Sequence, residues 1–150
     1  MPSYTYPFTR FKFLDGKTEA LSHPRLYVAV SNPFTGASVN LWGLIDTGAD
    51  ASLFPEELAT MLGHNLKGDG VKSSFSTGIE QKRITTYKHT FKIDLISPSQ
   101  KKAVWSTGSF EVDCAETNPP VLFGVQGFLK NFDLNVDYPN EIFSLKWKCP

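Results

Sequence analysis

The chain lacks the features that would place it in a metal-binding or membrane class. Its two cysteines, Cys114 and Cys149, form no Cys-x-x-Cys pair and have no histidine at metal-ligand spacing, which indicates neither a zinc site nor a disulfide framework. The sequence leaves undecided whether the two form a single disulfide bridge. No apolar run is long enough to span a bilayer, and residues 1–13 lack a basic region followed by a continuous apolar stretch. We therefore expect a soluble, cytoplasmic protein with no membrane partner.

An excess of charge of one sign is also missing. Lys and Arg together number 15, and Asp and Glu together number 15, so no net field attracts nucleic acid or an anionic surface. The basic residues scattered between Lys82 and Lys92 are typical of a solvated strand face rather than of a phosphate-binding track. We expect no nucleic-acid partner.

Several common catalytic patterns are absent as well. The sequence has no Gly-x-Ser-x-Gly elbow, no glycine-rich phosphate loop and no His-Glu-x-x-His motif. His23, His64 and His89 share no spacing with one another, so we expect them to be structural or surface residues. The sequence predicts neither a metal site nor a cofactor.

Short β-prone segments fill most of the 150 residues, a length that fits one domain. Aromatic residues make up 13% of the chain, and apolar and polar residues alternate between turn signals of Gly, Pro, Asn and Ser. We predict an all-β fold with one or two short helices. The predicted strand pairs lie at residues 25–45, 71–95 and 88–112, and around residues 138–140.

One helix is predicted over residues 54–63. A proline suited to the first helical turn, two early glutamates and a closing glycine bound this segment. Leu58, Met61 and Leu62 are expected on its apolar face. A second short helix is expected shortly after Gly124.

An acidic residue directly follows an apolar run in "NLWGLIDTGADASLFP", residues 40–55. Burial of an unpaired carboxylate is costly, so Asp46 is either a solvated turn residue or a functional one. Asp-Thr-Gly alone does not decide this, because it arises by chance in about 3% of chains of this length. Its setting is more specific, since about 75 residues later a second apolar strand, residues 121–123, ends on Gly124.

Taken in order, these segments resemble the retropepsin-like aspartic proteases, the family of the HIV-type proteases and their cellular relatives. The match runs from about residue 24 to residue 145. It includes the hairpin leading into residues 46–50, a long hairpin around residues 77–81 where the family has its flap, and the Leu-Phe-Gly of residues 122–124. The resemblance implies a closed β-barrel, the acid-protease fold, with its active site at a two-fold dimer interface.

The resemblance also divides the chain. It implies a retropepsin-like protease domain at residues 24–150, preceded by an N-terminal extension at residues 1–23. The chain departs from the viral pattern at three points, one of which is Gln126-Gly127 in place of the polar pair often seen at the start of the terminal helix. Val125 stands where many viral members have an Arg that pairs with the acid matching Asp50, and the predicted flap has the single glycine Gly78.

The implied chemistry needs two carboxylates that share one proton, since peptide hydrolysis requires a water deprotonated on one side of the carbonyl and a proton delivered on the other. The chain has one Asp-Thr-Gly, so the second carboxylate must come from another copy. We predict a homodimeric aspartic endopeptidase acting on peptide or protein substrates. The alternative is a catalytically silent dimerisation or peptide-binding module of the same fold.

The resemblance assigns roles to individual residues. Thr47 would fix the loop through its hydroxyl, Gly48 would let the substrate backbone approach closely, and Leu122 would face the groove. Asp50 either fixes the loop or contacts substrate, or is simply solvated. The predicted catalytic residues are Asp46, Thr47 and Gly48, and the predicted substrate-binding residues are Ala49, Asp50, Thr77, Gly78, Ile79, Leu122 and Gly124.

Overall fold

Strands make up most of the structure. A computed structural model describes residues 2–77 and 83–148, in which ten strands and one α-helix occur. The helix is α1, Glu56–Met61. The strands are β1 (Ser3–Pro7), β2 (Arg25–Ser31), β3 (Ser38–Ile45), β4 (Leu53–Pro55), β5 (Ser73–Thr77), β6 (Arg83–Ile96), β7 (Ala103–Ala115), β8 (Leu122–Phe123), β9 (Asp133–Asp137) and β10 (Ile142–Lys146).

Six of these strands close into a barrel. They are hydrogen-bonded in the order β2-β3-β8-β4-β7-β6, and pairing between β2 and β6 completes the ring. Alternate residues of a strand point to opposite faces, and in β2 Leu26, Val28 and Val30 are all fully buried. The predicted all-β closed barrel is confirmed.

The predicted hairpins form within this barrel and beside it. Strands β2 and β3 pair antiparallel from Arg25 opposite Leu44 to Ser31 opposite Ser38. Strands β6 and β7 also pair antiparallel, as do β9 and β10. Strand β5 adds to the outer edge of β6 and ends at Thr77, the first residue of the predicted flap tip. The rest of that tip, residues 78–81, lies outside the described residues.

Helix α1 buries Leu58 and Ala59 and is followed by the buried Leu62. The expectation that Met61 shares this face is wrong, because its side chain is 64% exposed. At about 100° per residue, Leu58, Ala59 and Leu62 occupy one arc of the helix surface, and Met61 lies about 110° from the centre of that arc. The second predicted helix is a single 3₁₀ turn, Leu129–Asn131.

Strand β1 lies within the segment that we predicted as an extension. It pairs with β10, and with β9 the two form a three-stranded sheet. Tyr6 is buried there and stacks on Phe143 with ring centroids 5.3 Å apart, and burial raises the pKa of Tyr6 to about 12. The extension is thus packed against the rest of the fold, and the domain boundary at residue 23 stays a prediction.

One of the two cysteines lies in the described part of the chain. Cys114 is fully buried in β7, and burial raises the pKa of its thiol to about 12. Cys149 lies outside the described residues.

Candidate active site

Asp46 begins the loop that follows β3, on the floor of an open cleft. Its backbone N–H donates to the carbonyl oxygen of Phe123 at 3.0 Å, which ties the start of the loop to β8. Its carboxylate Oδ1 accepts a hydrogen bond of 3.0 Å from the N–H of Gly48. The residue is half-buried. The backbone therefore orients one carboxylate oxygen while the group stays accessible from the cleft.

The segment after β8 holds the rest of this loop. The N–H of Val125 donates to the carbonyl of Ala49 at 2.9 Å, and the N–H of Gln126 donates to the carbonyl of Asp50 at 2.8 Å. Both bonds run from backbone to backbone, so they fix the path of the loop without using its side chains. The Asp50 side chain is left exposed in the cleft.

Gly124 lies beneath the loop at the closest approach of the two chain segments. A Cβ at this position would lie 2.5 Å from the carbonyl oxygen of Ala51 and 2.8 Å from that of Ala49, both backbone atoms. No side chain can be accommodated there unless the backbone shifts. Gly124 is buried and does not form the cleft wall.

Ser52 is a residue of this loop that sequence reasoning missed. Its side chain is fully buried, its hydroxyl oxygen accepts the N–H of Gly124 at 3.0 Å, and its carbonyl accepts the N–H of Asp113 at 3.0 Å. The sequence feature that could have identified Ser52 is a hydroxyl residue between the apolar residues Ala51 and Leu53, directly before a strand. Such a side chain, when buried, needs a hydrogen-bond partner.

The cleft above the loop has a volume of about 640 Å³. Its wall includes five of the predicted residues, Asp46, Gly48, Ala49, Asp50 and Leu122. Six further lining residues come from strands β4 to β7 and were not predicted, namely Leu53, Ser74, Phe75, Ile84, Lys88 and Asp113. The cleft is large enough for several residues of an extended peptide.

Among solved structures, a retropepsin-like aspartic protease from Rickettsia conorii is similar in fold. The TM-score is 0.55, with 15% sequence identity over 96% of this chain and 91% of that chain. The chain has a retropepsin-like fold. The EIAV protease complexed with the inhibitor HBY-793 is also similar, with a TM-score of 0.45 and 16% identity over 71% of this chain and 85% of that chain. No protein-family model and no curated protein sequence matches the chain.

Within the retropepsin-like fold, the two residues of β8 face opposite ways. Leu122 is half-buried and lines the cleft. Phe123 is fully buried and packs against Phe54 and Phe128, with ring centroids 6.5 Å and 5.0 Å away. This is the alternation expected of a strand.

Other predicted residues lie apart from the cleft wall. Thr47 is exposed, and among the described residues its side chain has no hydrogen-bond partner. The predicted hydrogen bond by which the Thr47 hydroxyl would fix the loop is therefore not formed within the described residues of one chain. Thr77 is the last residue of β5, and the predicted flap residues Gly78 and Ile79 lie outside the described residues.

An ion pair forms part of the cleft wall. Nζ of Lys88 donates to Oδ1 of Asp113 at 2.7 Å, and the two side chains are 32% and 14% exposed. Sequence reasoning did not connect these two residues, which are 25 positions apart. The antiparallel register of β6 and β7, which sets Lys88 opposite Asp113, brings them together.

Two negative findings apply to residues 2–77 and 83–148. No helix there has the length and apolar character needed to cross a membrane. In the same residues, no group of three or more His, Cys, Asp or Glu side chains is arranged to hold a metal ion.

Proposed function

We propose that the chain is an aspartic endopeptidase that acts as a homodimer, in which the Asp46 carboxylates of two copies activate a water molecule. The observation that carries this proposal is the position of Asp46. Its half-buried carboxylate, oriented by the N–H of Gly48, lies on the floor of an open cleft in a retropepsin-like fold. A carboxylate that served only as a turn cap would not need a cleft of this size in front of it.

The requirement for two copies follows from the chemistry. A shared proton between two close carboxylates gives one acid and one base at the same site. Two other carboxylates line the cleft, but Asp113 is paired with Lys88, and Asp50 lies four residues along the loop. The equivalent Asp46 of a second copy, related by a two-fold axis, is the partner that matches it in chemistry and setting.

The proposed reaction uses an extended peptide bound between the cleft floor and the hairpin of β5 and β6. One Asp46 carboxylate takes a proton from water, whose oxygen attacks the peptide carbonyl carbon, while the protonated partner gives its proton to the carbonyl oxygen. The first carboxyl, which now carries the proton taken from water, then protonates the amide nitrogen, while the partner carboxylate takes a hydroxyl proton from the tetrahedral intermediate, and the C–N bond breaks. Gly48, without a Cβ, lets the substrate backbone approach the carboxylates, and backbone hydrogen bonds supply affinity.

Digestion of a diverse peptide pool by the purified protein, with cleavage sites read by mass spectrometry, tests this function. The matched control is Asp46→Asn, which is nearly isosteric and should keep the wild-type fold. We expect cleavage by the wild-type protein and none by the variant. Equal cleavage by both would overturn the role of Asp46.

A second measurement separates the proposed enzyme from the silent module. A peptide analogue with a hydroxyl in place of the cleaved carbonyl mimics the tetrahedral intermediate and should raise the thermal stability of the wild-type protein. Stabilisation without any cleavage would favour a peptide-binding module.

A further inference from the structure

The Lys88–Asp113 pair lies in a row of residues that leads across the sheet to the candidate catalytic loop. Asp113 is opposite Leu53, and Leu53 is opposite Leu122. Leu122 precedes the residue whose carbonyl accepts the N–H of Asp46. Neighbouring strands lie about 4.8 Å apart, so the backbone of Asp113 is about 10 Å from that of Leu122. An extended peptide advances about 3.3 Å per residue, and the pair is therefore within reach of a side chain about three residues from the cleaved bond.

The surroundings of the pair are mixed. Leu53 lies opposite Asp113, and Leu122 is next in the row. Two residues along β6 from Lys88 is Thr86, which is buried and whose hydroxyl has no hydrogen-bond partner among the described residues. Of the lysine–carboxylate pairs in the described part of the chain, Lys88–Asp113 has the least exposed side chains. Stability does not explain its position, because the desolvation of two charges offsets much of their attraction.

The pair has unused hydrogen-bonding capacity. The Lys88 ammonium has three N–H donors, and one of them is directed at Oδ1 of Asp113. Oδ2 of Asp113 accepts no hydrogen bond from the described residues. A ligand in the cleft thus meets a donor and an acceptor side by side, with no net charge.

We propose that this pair is a specificity subsite that binds a carboxamide side chain, Gln or Asn, of the substrate. This inference rests on the proposed endopeptidase function. A carboxamide has one acceptor oxygen and two N–H donors, so it can accept from Lys88 and donate to Asp113 without burying a net charge. A substrate carboxylate would compete with Asp113 for Lys88, and a substrate cation would compete with Lys88 for Asp113. Either would leave one charge of the pair without its partner, whereas a carboxamide leaves the pair intact. An aliphatic side chain would leave both polar groups without a substrate partner.

The proposed dimer gives the subsite a recognisable signature. Each copy contributes one Lys88–Asp113 pair, and a two-fold axis between the two Asp46 carboxylates places the two pairs at equal distances on either side of the cleaved bond. The preference for a carboxamide should therefore appear at symmetric positions before and after that bond.

The test uses peptide libraries in which Gln, Leu, Glu and Lys are compared at each position around a cleaved bond. For the wild-type protein we expect kcat/KM to be about tenfold higher with Gln than with Leu at the symmetric positions. Lys88→Met leaves the acid alone and should shift the preference to Lys, whereas Asp113→Leu should shift it to Glu. The double variant with both substitutions should prefer Leu.

The matched control is Lys92→Met. Lys92 lies on the same strand, pairs with Asp94 and is not part of the cleft wall, so its replacement should leave the preference unchanged. A wild-type profile with no carboxamide preference, or one profile shared by wild type and all variants, would overturn the subsite. Should an unpaired charge prevent folding of a single variant, the double variant, which has no charge at either position, still decides the question.

Failure of the proposed function would look different. If the wild-type protein cleaves no peptide, the endopeptidase proposal fails, and the subsite is then tested by binding alone. Hydroxyl-bearing peptide analogues with Gln or Leu at the symmetric positions are compared by thermal stabilisation. Greater stabilisation by the Gln analogue supports the subsite, and equal stabilisation overturns it.

Discussion

The backbone N–H of Gly124 donates to the hydroxyl oxygen of Ser52 at 3.0 Å, and both residues are buried. This bond joins the loop that bears Asp46 to the segment that follows β8. The two partners are 72 positions apart in the chain. The position of the candidate catalytic carboxylate therefore depends on a contact that forms only when the barrel closes.

Ser52→Ala should destabilise the fold and the loop together. The change leaves the buried N–H of Gly124 without its acceptor, which costs about 1–3 kcal/mol of the free energy of unfolding. Urea unfolding measures this cost. The exposed Ser38 on β3 offers a control, since Ser38→Ala should change stability by less than about 0.5 kcal/mol. Equal stabilities for the two variants would contradict the structural role of the Ser52 hydroxyl.

Two glycines of the site should respond differently to alanine. Gly124→Ala brings a Cβ against two backbone oxygen atoms at 2.5 Å and 2.8 Å, so the loop must move and stability should fall by about 1–3 kcal/mol. At Gly48 the added Cβ would have only an ordinary contact of 3.4 Å with Oδ1 of Asp46. Gly48→Ala should therefore unfold near the wild-type temperature, yet bind a hydroxyl-bearing peptide analogue more weakly because the methyl group occupies the cleft. Thermal unfolding with and without the analogue separates the two effects, and a similar loss of stability in both variants would count against this account.

Local signals in the sequence were sufficient to predict the hairpins and to single out the loop that bears Asp46. Turn residues and alternation set the bounds of β2 and β3, and the apolar run that ends on Asp46 indicated a functional position. The contacts that complete the site depend on register between distant strands. Lys88 meets Asp113, and Ser52 meets Gly124, only after β6, β7, β4 and β8 have paired. Neither contact has a local signature that identifies its partner.

A packed histidine lies away from the cleft. The ring of His64 packs 4.8 Å from that of His89 and 4.8 Å from that of Phe91, and its Nε2 lies 2.8 Å from the carbonyl oxygen of Thr90. Burial lowers the pKa of His64, and repulsion from His89 lowers it further, against the opposing effect of the Thr90 hydrogen bond. These contacts fix the half-buried ring of His64, and a purely structural role for it stays a prediction.

The lowered pKa of His64 predicts a loss of stability in acid. Below its ordinary pKa of 6.5 the unfolded chain binds a proton that the folded chain takes up less readily, so the free energy of unfolding should fall as pH falls from about 6.5. His64→Gln keeps a donor for the Thr90 carbonyl but does not titrate. Urea unfolding between about pH 5 and 7.5 should show a shallower pH dependence for this variant than for the wild-type protein. Identical slopes would mean that His64 titrates alike in the folded and unfolded chains.

The proposed two-fold pairing of Asp46 makes a stoichiometric prediction. Asp46→Asn should fold and dimerise, because the amide is nearly isosteric and removes like-charge repulsion between the two copies. When equal amounts of mutant and wild-type chains exchange at random, about one quarter of the dimers carry two Asp46 carboxylates. Activity per wild-type chain should then fall to about half of its unmixed value, because about half of the wild-type chains are in mixed dimers with a single carboxylate. Native mass spectrometry of the mixture confirms that exchange has occurred. Unchanged activity per wild-type chain would mean that one Asp46 suffices, and an active species that sediments as a monomer would remove the basis for pairing altogether.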